Sequence, residues 1–241
     1  MCTVTFVPNS VGVFITSNRD EHSTRAKATV PTVYQTNNFS ITMPIDPDGK
    51  GSWIALRNTG DALVLLNGGF ENHTPKPSYA ESRGIVVKEM VECENPLAYF
   101  SNKDLSKIQP FTIVLFYRKH LYELVWTGNE KCQQQLSANA AHIWSSATLY
   151  TDAIRNQRKQ WFKAWLQKYP NPTQQAILHF HRFTGTGDAT NDLFMNRNGL
   201  VGTVSITSIA IEQENYTMHY WDAATDKHIE NTLLPQKMYT S

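Results

Sequence analysis

Apolar residues recur at two different periods along this chain, and the places where the period changes mark its elements. Residues 2–7 (Cys-Thr-Val-Thr-Phe-Val) predict a strand ended by Pro8-Asn9-Ser10, and residues 11–17 predict a second, so the chain opens with a hairpin. Residues 46–51 (Asp-Pro-Asp-Gly-Lys-Gly) have the composition of a turn. Ser52 to Arg57 and Ala62 to Leu66 flank Asn58-Thr59-Gly60-Asp61 as another hairpin. Within it, Leu63-Val64-Leu65-Leu66 is continuously apolar, as in a strand covered on both faces. Residues 71–78, with two prolines, predict a surface loop, and residues 82–92 a helix. A third hairpin is expected from Phe111–Tyr117 and Leu121–Thr127.

The period then lengthens. Over 152–168, Ile154, Trp161, Trp165 and Leu166 share one helical stripe, with Arg155, Arg158, Lys159 and Lys163 off it. Pro170 and Pro172 separate this helix from a second at about 173–183, Gly185 and Gly187 mark a loop, and 200–211 and 215–221 read as closing strands. Strands, helix, strands, helices, strands is the order of an α+β layered domain rather than of alternating βαβ units. With 241 residues and no repeat or low-complexity linker, the expectation is one domain over 1–241.

Charge narrows the function classes. Lys and Arg total 22 against 21 Asp and Glu, a formal +1, which gives no electrostatic case for nucleic acid or an acidic membrane surface. No apolar stretch is long enough to span a membrane, and the first residues lack a secretory pattern. The sparse cysteines, Cys2, Cys93 and Cys132, fit reduced thiols in a cytoplasmic protein. No Cys/His spacing suggests zinc, and no cofactor or metal is expected. His179 and His181, two apart on a helix, point to different faces and suit one surface and one core contact. Asp46 and Asp48 suit a turn rather than a cation site.

The chemistry starts at Cys2. Trimming of Met1 would leave a first residue carrying both a thiol and an α-amine whose ordinary pKa, about 7.7–8.0, lets it act as a base near neutrality. Asn18-Arg19-Asp20-Glu21 follows the second strand, and a hairpin returns that strand's end to the start of the first. A guanidinium there would lower the thiol pKa and a carboxylate could orient the ammonium. Adjacent strand residues face opposite sides, so not all four can reach Cys2. Asn67-Gly68-Gly69, ending a buried strand, could aim a backbone N–H at a developing oxyanion.

Met1-Cys2, then Asn18-Arg19-Asp20-Glu21 and Arg25, resembles the opening of the NRDE-motif (transport and Golgi organisation) family. Gly51-Ser52-Trp53, Gly60, Asn67 and Ser82-Arg83-Gly84 resemble that family's next blocks, in order. The resemblance implies an N-terminal-nucleophile (Ntn) hydrolase-type fold: a four-layer αββα sandwich of two stacked, mainly antiparallel sheets. It implies Cys2, Arg19, Asp20 and Asn67 as catalytic residues, and Asn18 and Ser146 as substrate contacts. The later half departs from the family. Ser146 stands where a family asparagine stands, which in choloylglycine-type hydrolases helps form the oxyanion hole, and Gly202-Thr203-Val204 replaces Gly-Thr-Arg. Those hydrolases also space arginine and aspartate three apart, whereas Arg19 and Asp20 are adjacent. The expected function is a cysteine amidohydrolase acting on a small-molecule amide. The alternative is a non-catalytic ligand-binding or trafficking protein handling haem, acyl-CoA or lipid.

Overall fold

The computed structural model describes residues 3–76, 78–213 and 215–235. Strands β1 (Thr3–Pro8), β2 (Gly12–His22), β3 (Thr32–Gln35), β4 (Ser40–Met43), β5 (Ile54–Arg57) and β6 (Ala62–Asn67) come first. Helices α1 (Arg83–Glu92) and α2 (Pro96–Asn102) follow, then β7 (Phe111–Tyr117), β8 (His120–Trp126), β9 (Lys131–Leu136) and β10 (His142–Ser145). Helices α3 (Asp152–Lys168) and α4 (Gln174–Phe183) precede β11 (Asn196–Arg197), β12 (Val201–Glu212), β13 (Tyr216–Asp222) and β14 (Lys227–Leu233).

Every strand pairing is antiparallel. One sheet runs β10-β1-β2-β12-β13-β14, with β11 on β12, and the other runs β3 to β9 in chain order. Two-residue alternation decides what lies between the layers. Val4, Phe6, Ile15, Ile209 and Met218 from the first sheet join a core with Ile54, Val64 and Val114 of the second. Their neighbours Val7, Phe14 and Ala210 point the other way, onto Phe162 of α3 and Ile177 and Phe180 of α4. On the far side of the second sheet, Val86, Val87, Met90 and Val91 seat α1 over β5 and β6. The result is the four-layer αββα sandwich that the resemblance implies.

Three local expectations change. The second strand does not stop at residue 17: β2 continues to His22, so the Asn-Arg-Asp-Glu motif lies within the strand rather than following it. On α3, the fully enclosed residues are Arg158 and Phe162, so Arg158 lies on the buried stripe rather than off it. The strands β3, β4, β9, β10, β11 and β14 and helix α2 add to the predicted set. His179 is exposed and His181 buried, as their spacing requires.

Candidate functional site

Because the motif is strand, its side chains alternate between the two sides of the sheet. Asn18 faces the helices and is fully buried. Its Nδ2 donates to the Leu193 carbonyl at 2.7 Å and the His181 carbonyl at 3.2 Å, and its Oδ1 pairs with His181 Nδ1. With both amide hydrogens committed to carbonyls, Oδ1 is the acceptor, so His181 Nδ1 carries the proton. His181 Nε2 then accepts from the Thr5 hydroxyl at 2.7 Å. Burial, reinforced by Arg158, pushes the His181 imidazole down to about 3, so the ring is neutral at physiological pH. Asn18 thus clamps β2 to α4 and to the segment before β11. It touches the framework, whereas the resemblance implied a substrate contact.

Arg19 faces the opposite side, between the sheets. Its guanidinium lies 4.5 Å over the Trp53 ring, 2.9 Å from Asp46 and 3.6 Å from Glu21. Arg25 closes the cluster, 2.8 Å from Asp46 and 3.5 Å from Glu21. Burial raises the Asp46 carboxyl pKa. The Arg25 hydrogen bond, the Gly49 N–H and the charges of Arg25 and Arg19 outweigh this and hold it below the ordinary value. Asp20 returns to the helix side, where its oxygens accept from Tyr150 at 2.9 Å and Thr203 at 2.5 Å. The Gly202-Thr203-Val204 block therefore engages Asp20 through a hydroxyl, and the strand register shifts at Val204.

The family-like blocks, far apart in the chain, meet in space. Arg19, Glu21, Arg25, Trp53, Asn67 and Ser82 line one cavity of about 120 Å³. A close backbone approach builds it: Ser52 N–H donates to the Gly84 carbonyl at 3.0 Å, and a Cβ on Gly51 would stand 2.1 Å from the Gly84 carbonyl carbon. Asn67 also lines a second cavity of about 260 Å³, with Trp144, Ser146, Arg155 and Lys159. No hydrogen bond of the Asn67 carboxamide is found among the described residues. The Gly68 N–H, a backbone candidate for the oxyanion, instead donates to the Pro110 carbonyl at 3.0 Å. Ser146 Oγ donates to the Asn67 carbonyl at 2.7 Å and lies 3.0 Å from Thr148 Oγ1, so it supports Asn67 from behind.

Cys2, the expected nucleophile, lies outside the described residues. Its neighbour Thr3 pairs with Asn18 on one side and Ser145 on the other, beside this group. Thr3 Oγ1 accepts from Arg158, a residue the sequence reading passed over. The Arg158 guanidinium also donates to the carbonyls of Asn191 and Asp192 at 3.0 and 2.8 Å, and stacks 3.6 Å from the centre of the Tyr150 ring. Its position three residues before Trp161 and four after Ile154 was the available signal. Among the described residues no three His, Cys, Asp or Glu side chains cluster as a metal site, and no helix is long and apolar enough to cross a membrane.

A family profile described as Transport and Golgi organisation 2 matches residues 1–226. The chain belongs to that family. No curated protein sequence matches this Transport and Golgi organisation 2 member significantly. Solved structures resemble it in fold at very low identity. The N-acylethanolamine-hydrolyzing acid amidase ortholog of Caenorhabditis elegans is 11% identical with a TM-score of 0.57, over 86% of this chain and 92% of that one. Penicillin V acylase from Agrobacterium tumefaciens is 8% identical with a TM-score of 0.58, over 95% and 85%. A mutant conjugated bile acid hydrolase from Clostridium perfringens is 8% identical with a TM-score of 0.53, over 96% of each chain. At these identities the likeness establishes an Ntn-hydrolase-like sandwich.

Proposed function

We propose that this chain is an N-terminal-nucleophile amidase, a single domain working in the cytoplasm, that cleaves a small-molecule amide through Cys2. The observation that supports it is the convergence of Arg19, Asn67 and Ser82, from three separate family-like blocks, on one cavity, with Asn67 braced by the segment that pairs with Thr3. The amidase and acylase names of the structural neighbours point the same way.

In this reading Met1 is removed and the α-amine of Cys2 takes the thiol proton. The thiolate attacks the amide carbon, the C–N bond breaks, and the ammonium returns its proton to the departing amine. Water then hydrolyses the thioester, releasing the acid and restoring the thiol. Arg19 favours the thiolate by its positive charge. Asp20, held by Tyr150 and Thr203, is the acceptor that orients the ammonium. The Asn67 carboxamide donates to the oxyanion, and Asn18 supports the strand from behind.

Ser146 bears on efficiency. Its hydroxyl is committed to the Asn67 carbonyl, so it does not supply the second donor that a family asparagine would. Loss of one such donor typically costs about 10²–10³ in kcat, so activated esters should turn over better than matching amides. The test is turnover of an activated ester and its amide by wild type, Cys2→Ala and Asn67→Ala. Both variants should lose ester turnover. If Cys2→Ala leaves it unchanged, the enzyme reading falls and the family's ligand-binding alternative replaces it.

A further inference from the structure

Another cavity, of about 300 Å³, opens on the helix-facing side of the first sheet, between α4 and strands β12, β13 and β14. Its residues are disjoint from those around Asn67. Leu178, Phe183, Ile206 and Trp221 supply apolar walls. The polar lining includes one arginine, Arg182, and three imidazoles, with no carboxylate among the lining residues.

The rings are grouped. His219 and His228 centroids lie 5.3 Å apart, and Phe183 is 62% exposed at the rim, 4.6 Å from His179. His219 is 8% exposed, and its Nδ1 is enclosed without a hydrogen-bond partner among the described residues. Burial and the facing His228 lower its pKa, so it is a neutral ring with an incomplete set of bonds. The Arg182 guanidinium lies 4.3 Å over Trp221 and is held only at 3.3 Å by Asp226, which also accepts from Trp221 Nε1 at 2.7 Å. Glu230 faces His219 across the β13–β14 pair.

We propose that this cavity binds a small aromatic carboxylate: a flat apolar body between the aromatic walls, its carboxylate on Arg182. A ring suits the walls better than a chain because five of the nine lining side chains, Phe183, Trp221, His179, His219 and His228, are themselves aromatic, and aromatic groups pack on one another edge-to-face or offset. The guanidinium favours a carboxylate because it offers a paired donor fork whose present partner, Asp226, is an exposed and long ion pair. The site does not depend on Cys2 chemistry.

Calorimetric titration with 2-naphthoate at neutral pH and low salt tests this. The probe should bind, and its uncharged isostere 2-naphthamide should bind at least about tenfold more weakly, the scale of a charge-assisted hydrogen bond. Arg182→Gln, at an exposed helix end, should weaken naphthoate by a similar factor of about ten. Asp226→Asn, which releases the guanidinium, should tighten it by roughly threefold. Cys2→Ala should bind it unchanged, which separates this site from the proposed amidase centre. Equal affinity for acid and amide, an Arg182→Gln protein that binds like wild type, or no measurable naphthoate binding would each overturn the proposal.

Discussion

Acidification from pH 7 to pH 5 should destabilise the protein through one buried ring. In the unfolded chain an imidazole titrates near 6.5, whereas His181 in the fold is held down at about 3. Below 6.5 the unfolded state therefore binds a proton that the folded state excludes. The stability contribution is complete above 6.5, falls as pH drops from 6.5 towards 3, and levels off below that. One pKa unit corresponds to about 1.4 kcal/mol, so the loss from this ring is roughly 2 kcal/mol at pH 5 and about 4–5 kcal/mol at full protonation. Urea unfolding of wild type and His181→Gln at several pH values between 7 and 5 measures it. Glutamine keeps a donor for Asn18 and an acceptor for Thr5 but does not titrate. Carboxylates common to both proteins cancel, so the stability gap between wild type and variant should shift by roughly 2 kcal/mol over this range. Parallel curves for the two proteins would refute the buried, neutral assignment of His181 and the Asn18 clamp built on it.

Asn18→Ala removes three buried hydrogen bonds, to Leu193, His181 Nδ1 and the His181 carbonyl, and should cost about 3 kcal/mol or more in urea unfolding. A cost below about 1 kcal/mol would return Asn18 to a substrate role. Gly51→Ala forces a Cβ into the Gly84 carbonyl and should lower stability by at least about 3 kcal/mol, read as a fall in Tm. Ser146→Ala leaves the Asn67 carbonyl without its hydroxyl donor and should cost about 1 kcal/mol, with ester turnover kept within about threefold.

Much of the layering was readable in the sequence because strands and helices differ in period, and α3 and α4 carry clear apolar faces. What escaped the reading had physical reasons. The edge strands β9 (Lys-Cys-Gln-Gln-Gln-Leu) and β14 (Lys-His-Ile-Glu-Asn-Thr-Leu) are largely solvated, so nothing forces them to alternate. Four consecutive polar residues, Asn18 to Glu21, end the apolar pattern of the strand at residue 17, yet Asn18, Arg19 and Asp20 are buried because other elements satisfy each of them: His181, Asp46 and Trp53, Tyr150 and Thr203. Their alternation, once on a strand, follows from the two-residue period, and it is why Arg19 and Asn18 take different surroundings. Arg158 was passed over because a charge at a stripe position is ordinarily placed in solvent. Two of its partners are main-chain carbonyls, of residues 191 and 192, which carry no sequence signal. Asn95-Pro96, a cap followed by proline at the first helical position, was the missed mark of α2.

The central claim is that Cys2 is the nucleophile. Native protein freed of Met1 is treated with an activated acyl ester under acidic quench, and the adduct is located by intact and peptide mass spectrometry. The account predicts one acyl group per chain, on the N-terminal residue, lost in Cys2→Ala. Cys93 should stay unmodified, since burial raises its thiol pKa and outweighs the lowering by Arg57. An acyl adduct on Cys93 or Cys132, or the same labelling in Cys2→Ala, would contradict it.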